Sequence, residues 1–194
     1  MRRRGWPCRR KTIYARVSVL GWPTHAVLWL EWGNSQAYAG LVPWGLKRFH
    51  ASGQTHLVTF SCYHRRASLT TPIPRQVFEA ALERVRRSFE LCVYGYVVMP
   101  EHVHLLLSEP RQRTLADAVK SLKQGVSRRL IGEAEHFWQK RYYDFNVRKE
   151  RQFVEKLRYI HRNPVKRGLC VAAEDWEWSS FRQYATGLRR DRGD

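Results

Sequence analysis

The sequence predicts an α+β domain, with a central antiparallel sheet and helices packed on it. Three observations carry the prediction. Thr55–Tyr63 alternates in polarity and is rich in β-branched and aromatic residues, as a half-buried strand is. Two stretches repeat apolar residues at helical spacing: Val77, Phe78, Ala81, Leu82, Val85 and Phe89, then Leu115, Ala118, Val119, Leu122, Val126 and Leu130. Between them, Leu91–Met99 and His102–Leu107 read as strands joined by Pro100-Glu101, the turn of an antiparallel pair.

Taken in order, the chain begins with a segment unlike the rest. Residues 1–41 hold seven Lys and Arg, one acid and four of the eight tryptophans, with neither a helical nor a strand period. They read as a basic arm along nucleic acid or, the favoured reading, as an extension, disordered or translated from an upstream start, outside the fold. A single domain is expected over 43–187, followed by a charged tail at 188–194.

In the first strand, His56, Val58, Phe60 and Cys62 form the more apolar side. Thr71-Pro72-Ile73-Pro74 is a stop and helix entry. Thr114 suits the N-cap of the second helix. Phe137–Phe145, aromatic and basic, reads as a strand or hairpin edge that could face unpaired bases or simply close the core. The last helix is expected over Lys149–Asn163, with Pro164 as its stop. The remainder, with Trp176, Trp178, Phe181 and Tyr184, reads as a wrap around the domain.

Charge narrows the partners. There are 35 Lys and Arg against 17 acids, a net +18, which points to a polyanion. Nucleic acid is the stronger choice and an anionic membrane the weaker, because no apolar run approaches the roughly 20 residues of a spanning helix. The four scattered cysteines fit reduced thiols of a cytoplasmic protein rather than a disulfide framework or a zinc site.

His102 and His104 stand two apart in a strand, so both imidazoles project from one face, while Val103, Leu105 and Leu107 face a core. Two imidazoles converging on one point make a metal half-site; a hydrogen-bonded core histidine is the plainer reading. On the last helix, at about 100° per residue, Phe153, Leu157 and Ile160 form a core stripe and Tyr159, Asn163 and Gln152 share a strip beside it, flanked by Glu155 and Lys156. His161 falls about 160° from Tyr159, away from the other two histidines. Alone, Tyr159 reads as an amphipathic anchor as readily as a nucleophile.

Together these residues resemble the His-hydrophobic-His (HUH) single-tyrosine transposases. Pro43-Trp44-Gly45-Leu46-Lys47-Arg48, Val58-Thr59-Phe60, Met99–His104, Tyr159–Val165, Gly168-Leu169 and Trp178-Ser179-Ser180 look like the REP-associated tyrosine transposase branch, over about residues 43–187. The resemblance implies a ferredoxin-like plan, which the strand–helix–strand–strand–helix–strand–helix reading matches. It implies that His102, His104 and the Asn163 carbonyl hold a divalent metal, magnesium or manganese. It implies that Tyr159 attacks a scissile phosphate, forming a 5′-phosphotyrosine and freeing a 3′-hydroxyl, with cation charge from the metal or Lys156 favouring the phenolate. The implied partner is single-stranded DNA bearing a hairpin, bound by a monomer or homodimer, with no membrane; the protein would be cytoplasmic and nucleoid-associated when on DNA. Candidate DNA contacts are Lys47, Arg48, Lys120, Lys123, Arg128, Lys140, Arg141 and Lys156. Tyr142, with Asn146 four residues on, stays open as a second nucleophile, and Tyr143 is a further phenol. The competing functions are a hairpin-DNA binder without chemistry and an RNA-binding module.

Overall fold

A computed structural model describes residues 54–131 and 136–185. The expected extension at 1–41, Lys47 and Arg48 with their surrounding motif, and the tail at 188–194 lie outside the described residues. Four strands, β1 (Thr55–Ser61), β2 (Val93–Val98), β3 (His102–Ser108) and β4 (Tyr143–Val147), form one antiparallel sheet in the order β2-β3-β1-β4. With helices α1 (Pro72–Ser88) and α2 (Leu115–Leu130) between them, this is the ferredoxin-like βαββαβ succession. Two more helices follow, α3 (Glu150–Lys166) and the short α4 (Phe181–Ala185).

Side-chain alternation sorts the two faces. Val58 and Phe60 of β1, with Val103, Leu105 and Leu107 of β3, are buried against Phe78, Ala81, Leu82 and Val85 of α1 and Val119, Leu122 and Val126 of α2. This is the core expected from both the strand and the helix periods. Thr114 caps α2 in a reciprocal box: its hydroxyl accepts from the Asp117 N–H at 3.1 Å, and Asp117 Oδ2 accepts from the Thr114 N–H at 3.2 Å.

Helix α3 covers the other face. Leu157 (1 % exposed) packs over Gly95 of β2, where a methyl group would stand only 2.5 Å from Leu157 Cδ1. Gln152 folds back to accept from the N–H groups of Arg148 and Lys149 at 3.0 and 3.2 Å, so it caps α3 and does not join the Tyr159 strip. The C-terminal segment wraps as expected, along the outer edge of β2: the Val98 N–H donates to Trp178 O, and the Ser180 N–H donates to Tyr96 O.

One expectation is corrected and one open reading is decided. Pro164 does not stop α3 but sits inside its last turn, and the helix runs on to Lys166. Proline costs a helix one N–H, that to Ile160 O here, and the helix ends a turn later at Gly168 (φ +66°), with the Leu169 N–H on Pro164 O and the Gly168 N–H on Val165 O. The aromatic-basic segment joins the edge of the sheet only at its end, where the strand Tyr143–Val147 begins. Phe137 and Trp138 are buried, Trp138 edge-on to Phe60 at 4.9 Å, so those aromatics close the core instead of offering faces to bases.

Candidate active site

The candidate residues gather on the face opposite α1 and α2. His104 pairs across the sheet with Thr59, and His102 with Ser61, so both imidazoles lie on the side that α3 covers. Each is 5 % exposed. Their Nε2 atoms converge to 3.0 Å, and Asn163 Nδ2 lies 3.0 Å from His104 Nε2. Tyr159, one helical turn before Asn163, sets its ring edge-on to His104 at 5.2 Å between centroids and stays 41 % exposed. The i, i+4 strip thus meets the histidine pair, as the sequence predicts, and all four residues belong to one chain. His161 turns away: it is fully buried and bonded to Ser180 Oγ at 2.8 Å.

Three residues that sequence reasoning did not single out complete the arrangement. Thr59 Oγ1 lies 2.7 Å from His104 Nδ1, and Glu101 Oε1 lies 3.1 Å from His102 Nδ1, ion-pair range without a straight hydrogen bond. Arg167, just beyond α3, forms an ion pair with the same Glu101 oxygen. The close approach of His102, and then the charge of Arg167, hold the Glu101 carboxyl at about 2 despite burial. Burial pushes the Tyr159 phenol upward, while the Asn163 hydrogen bond and the Arg167 charge oppose it. Among the side chains, Arg167 rather than Lys156 lowers this phenol; the Lys156 ammonium sits 4.7 Å over the Phe145 ring. Thr59 was legible as the polar neighbour on its strand face and Glu101 as the acid preceding His102. Arg167 left no signal, because its partner Glu101 lies 66 residues away in the sequence.

These contacts bear on whether the residues suit a divalent metal. Burial, with the His102, Arg167 and Arg65 charges, holds His104 well below the ordinary imidazole range, hence neutral. If Nδ1–H of each ring faces its outer oxygen, Thr59 or Glu101, then both Nε2 lone pairs face each other at 3.0 Å. That is unfavourable unless a proton or a metal ion lies between them, and a carboxylate behind a histidine is the usual support of a metal ligand. Two ligands about 2.1 Å from an ion on adjacent octahedral positions stand about 3.0 Å apart. Asn163 presents an oxygen at the same place after a half-turn of its carboxamide. The donor set fits a divalent ion with open positions; among the described residues no third His, Cys, Asp or Glu joins it.

The other candidates scatter. Tyr142 packs with the α1–α2 core, across the sheet from the histidines, so the placement disfavours it as nucleophile. Tyr143 pairs with Thr59 and shares the histidine face. Lys123 turns inward: its ammonium donates to Gln139 O at 2.5 Å and Lys140 O at 3.2 Å, a structural anchor rather than a surface contact. Lys120, Arg128, Lys140 and Arg141 are exposed, Lys120 and Arg128 on α2, and Lys156 is half-buried.

Residues 50–163, more than half the chain, match the family described as "Transposase IS200 like", and the chain belongs to this family of transposases. Within it, the chain resembles the REP-associated tyrosine transposases. It is 28 % identical over 145 residues to the REP-associated tyrosine transposase of Escherichia coli (strain K12), covering 73 % of this chain and 86 % of that protein. A solved structure of a REP-associated tyrosine transposase bound to a REP hairpin superposes with a TM-score of 0.66 at 27 % identity, over 77 % of this chain and 92 % of that one. Among the described residues no helix is long and apolar enough to cross a membrane.

Proposed function

We propose that this transposase cuts and rejoins single-stranded DNA beside a hairpin, with Tyr159 as the nucleophile and His102, His104 and Asn163 as ligands of magnesium or manganese. The observation that carries the reading is the Tyr159 ring set against His104 where two imidazole nitrogens converge. A bound divalent ion would polarise the scissile phosphate and neutralise charge developing on its oxygens. The exposed edge of Tyr159 admits the phosphate and lets the phenol lose its proton to water. Its oxygen attacks phosphorus, the bond from phosphorus to the 3′-oxygen breaks, and that oxygen leaves as a 3′-hydroxyl after protonation. The phosphotyrosine keeps the phosphodiester energy, so a second 3′-hydroxyl can reverse the step and join a new strand.

Asn163 holds the phenol and His104 in one arrangement, and Arg167 biases the phenol toward ionisation. Thr59 and Glu101 orient the two rings. Because one chain supplies every group, a monomer is sufficient. The hairpin partner is supported by the hairpin-bound relative, and the +18 charge agrees with it.

The test is an adduct assay. The full chain is incubated with end-labelled hairpin DNA carrying single-stranded flanks from around its own gene, with manganese, magnesium or chelator, and run on a denaturing gel. A metal-dependent covalent band is expected, absent in Tyr159→Phe and retained in Tyr142→Phe and Tyr143→Phe. Loss in Tyr143→Phe alone would move the nucleophile to the neighbouring strand. Tight hairpin binding with no adduct under any condition would leave a binder without chemistry, and preference for the RNA version would make it an RNA-binding module.

A further inference from the structure

The sheet edge beside the histidine face carries residues that the cutting reaction leaves unused. β4 is the outermost strand, and its side chains alternate between the two faces. Asp144 turns to the α1–α2 side, where its carboxylate lies 2.8 Å from His56 Nδ1. Tyr143 and Phe145 point the opposite way, toward α3, and both are half-buried.

Helix α3 runs back along this strand. Gln152 is fastened to Arg148 and Lys149 just past the end of β4, Lys156 holds its ammonium 4.7 Å over the Phe145 ring, and Tyr159 meets His104. Thr59, the partner of His104, is also the cross-strand neighbour of Tyr143. Tyr143 and Tyr159 therefore flank the same two side chains, and Lys156, three residues before Tyr159, lies beside it on the helix surface. Tyr143 stands two strands from His104, about 10 Å at ordinary strand spacing, which is the reach of one nucleotide from a phosphate held at Tyr159.

Lys156 differs from a loose surface charge. It is half-buried, and the ring beneath it fixes its ammonium. Among the described residues no carboxylate pairs with it, and its neighbour Glu155 is bonded to Arg151 at 2.9 Å. A ring and a fixed ammonium, on a strand face without an acid, suit a base whose face is bare and the phosphate attached to it. A paired stem keeps the faces of its bases inside the stack, so the fit is to an unpaired nucleotide.

We infer that this edge is the subsite for the unpaired nucleotide next to the scissile phosphate, with Tyr143 stacking on its base and Lys156, held by Phe145, meeting its phosphate. The inference rests on the DNA reading of the site. It makes Tyr143 and Lys156 positioning residues, which set where the strand lies against Tyr159. Stacking of this kind accepts any base, so the subsite fixes register and not sequence.

Equilibrium binding tests it without cleavage. Fluorescence anisotropy is measured on the full chain carrying Tyr159→Phe, with magnesium, on labelled hairpin DNA with a single-stranded flank from around its own gene. Abasic nucleotides replace the flank one position at a time. Adding Tyr143→Leu should lower affinity for the intact flank at least about fivefold, the low end of base–aromatic stacking. At one position the abasic nucleotide should cost the protein with Tyr143 the same factor, and cost the Tyr143→Leu protein less than about twofold. Tyr143→Phe keeps the ring and should keep this coupling. A shifted or misfolded sheet would instead weaken every probe alike. Lys156→Gln should lower the slope of log affinity against log salt by about 0.7, the value of one phosphate contact on a single strand. Equal Tyr143→Leu losses at all positions overturn the stack, and an unchanged slope in Lys156→Gln overturns the phosphate contact; both leave the cutting reaction intact. Coupling at one position, with no adduct formed by the wild-type chain, keeps the subsite and overturns the cutting reaction. Wild-type protein that neither binds the flank nor forms an adduct overturns both.

Discussion

Gly95→Ala probes how the sheet sets the position of the tyrosine helix. The added Cβ would stand 2.5 Å from Leu157 Cδ1, with Ser180 Oγ at 3.5 Å on another side. Carbon atoms settle at about 3.5–4.0 Å, so about 1 Å of room must be found. Leu157 is 1 % exposed and cannot swing into solvent, so α3 itself must move. Overpacking of this size costs about 1–3 kcal/mol, and the better strand propensity of alanine returns about 0.5–1, leaving a net loss of about 0–2.5 kcal/mol. Tyr159 lies two residues beyond Leu157. A shift near 1 Å at a reacting group lowers a rate about 100-fold, far more than the stability change would. Urea denaturation gives the first quantity and single-turnover cleavage the second. A double-mutant cycle isolates the contact: Leu157→Ala alone should cost about 2–5 kcal/mol, and Gly95→Ala should recover part of it by filling the hole. Effects that add within about 0.5 kcal/mol, together with an unchanged cleavage rate, would refute the claim that Gly95 sets the helix height.

Four further outcomes follow from other contacts. Burial opposes charge on His56, but Asp144 at 2.8 Å and Glu109 at 3.3 Å outweigh it and raise the ring above its ordinary 6.5. Its stabilisation is therefore complete below about pH 6.5 and lost as pH rises through the folded value; the unfolding free-energy gap between wild type and His56→Asn should shrink from pH 6 to 9, and a gap that widens would sink the assignment. Thr59→Val removes the partner of His104 Nδ1 and should weaken manganese binding about 10–100-fold by calorimetry, with the fold intact by circular dichroism. Asn163→Ala should abolish the adduct while hairpin affinity in chelator stays within about threefold, a split read by gel and anisotropy. Gly168→Ala meets nothing within 4 Å, so its cost is the left-handed backbone alone, about 1 kcal/mol in urea denaturation.

Much of this arrangement was legible in the sequence because the two periods of secondary structure do not depend on context. Alternation placed His102 and His104 on one face and Val103, Leu105 and Leu107 on the other, and the 3.6-residue period placed Tyr159 beside Asn163. What stayed hidden depends on where elements meet. Pro164 reads as a helix stop, since an isolated helix loses a hydrogen bond there, yet packing of α3 against the sheet carries the helix one turn further. Lys123 looked like a surface charge because its spacing put it off the apolar stripe. Its aliphatic stem nevertheless lets the ammonium reach the carbonyls of a segment 16 residues away, which no helical wheel contains. Phe137 and Trp138 could be read as stacking platforms or as core, because aromatic character is the same whether a ring is buried or bare.

The extra turn of α3 also suggests how the site holds its shape. Asn163 reaches His104 from inside the helix, and Arg167 reaches Glu101, the residue before His102, from just beyond it. The end of α3 thus fastens on both ends of the three-residue His102-Val103-His104 segment, and the phenol is carried by the same helix. Arg167→Met tests this clamp. The guanidinium is 50 % exposed, so the ion pair contributes at most about 1 kcal/mol to stability. Cleavage should nevertheless fall at least about tenfold, because Tyr159 loses a nearby cation and Glu101 loses the tether that keeps it behind His102. Arg167→Lys keeps the charge but not the forked geometry, so it should restore the pH dependence of cleavage more fully than its rate. If both variants cleave at the wild-type rate, the pair is an ordinary surface ion pair and the site holds its shape through Asn163 alone.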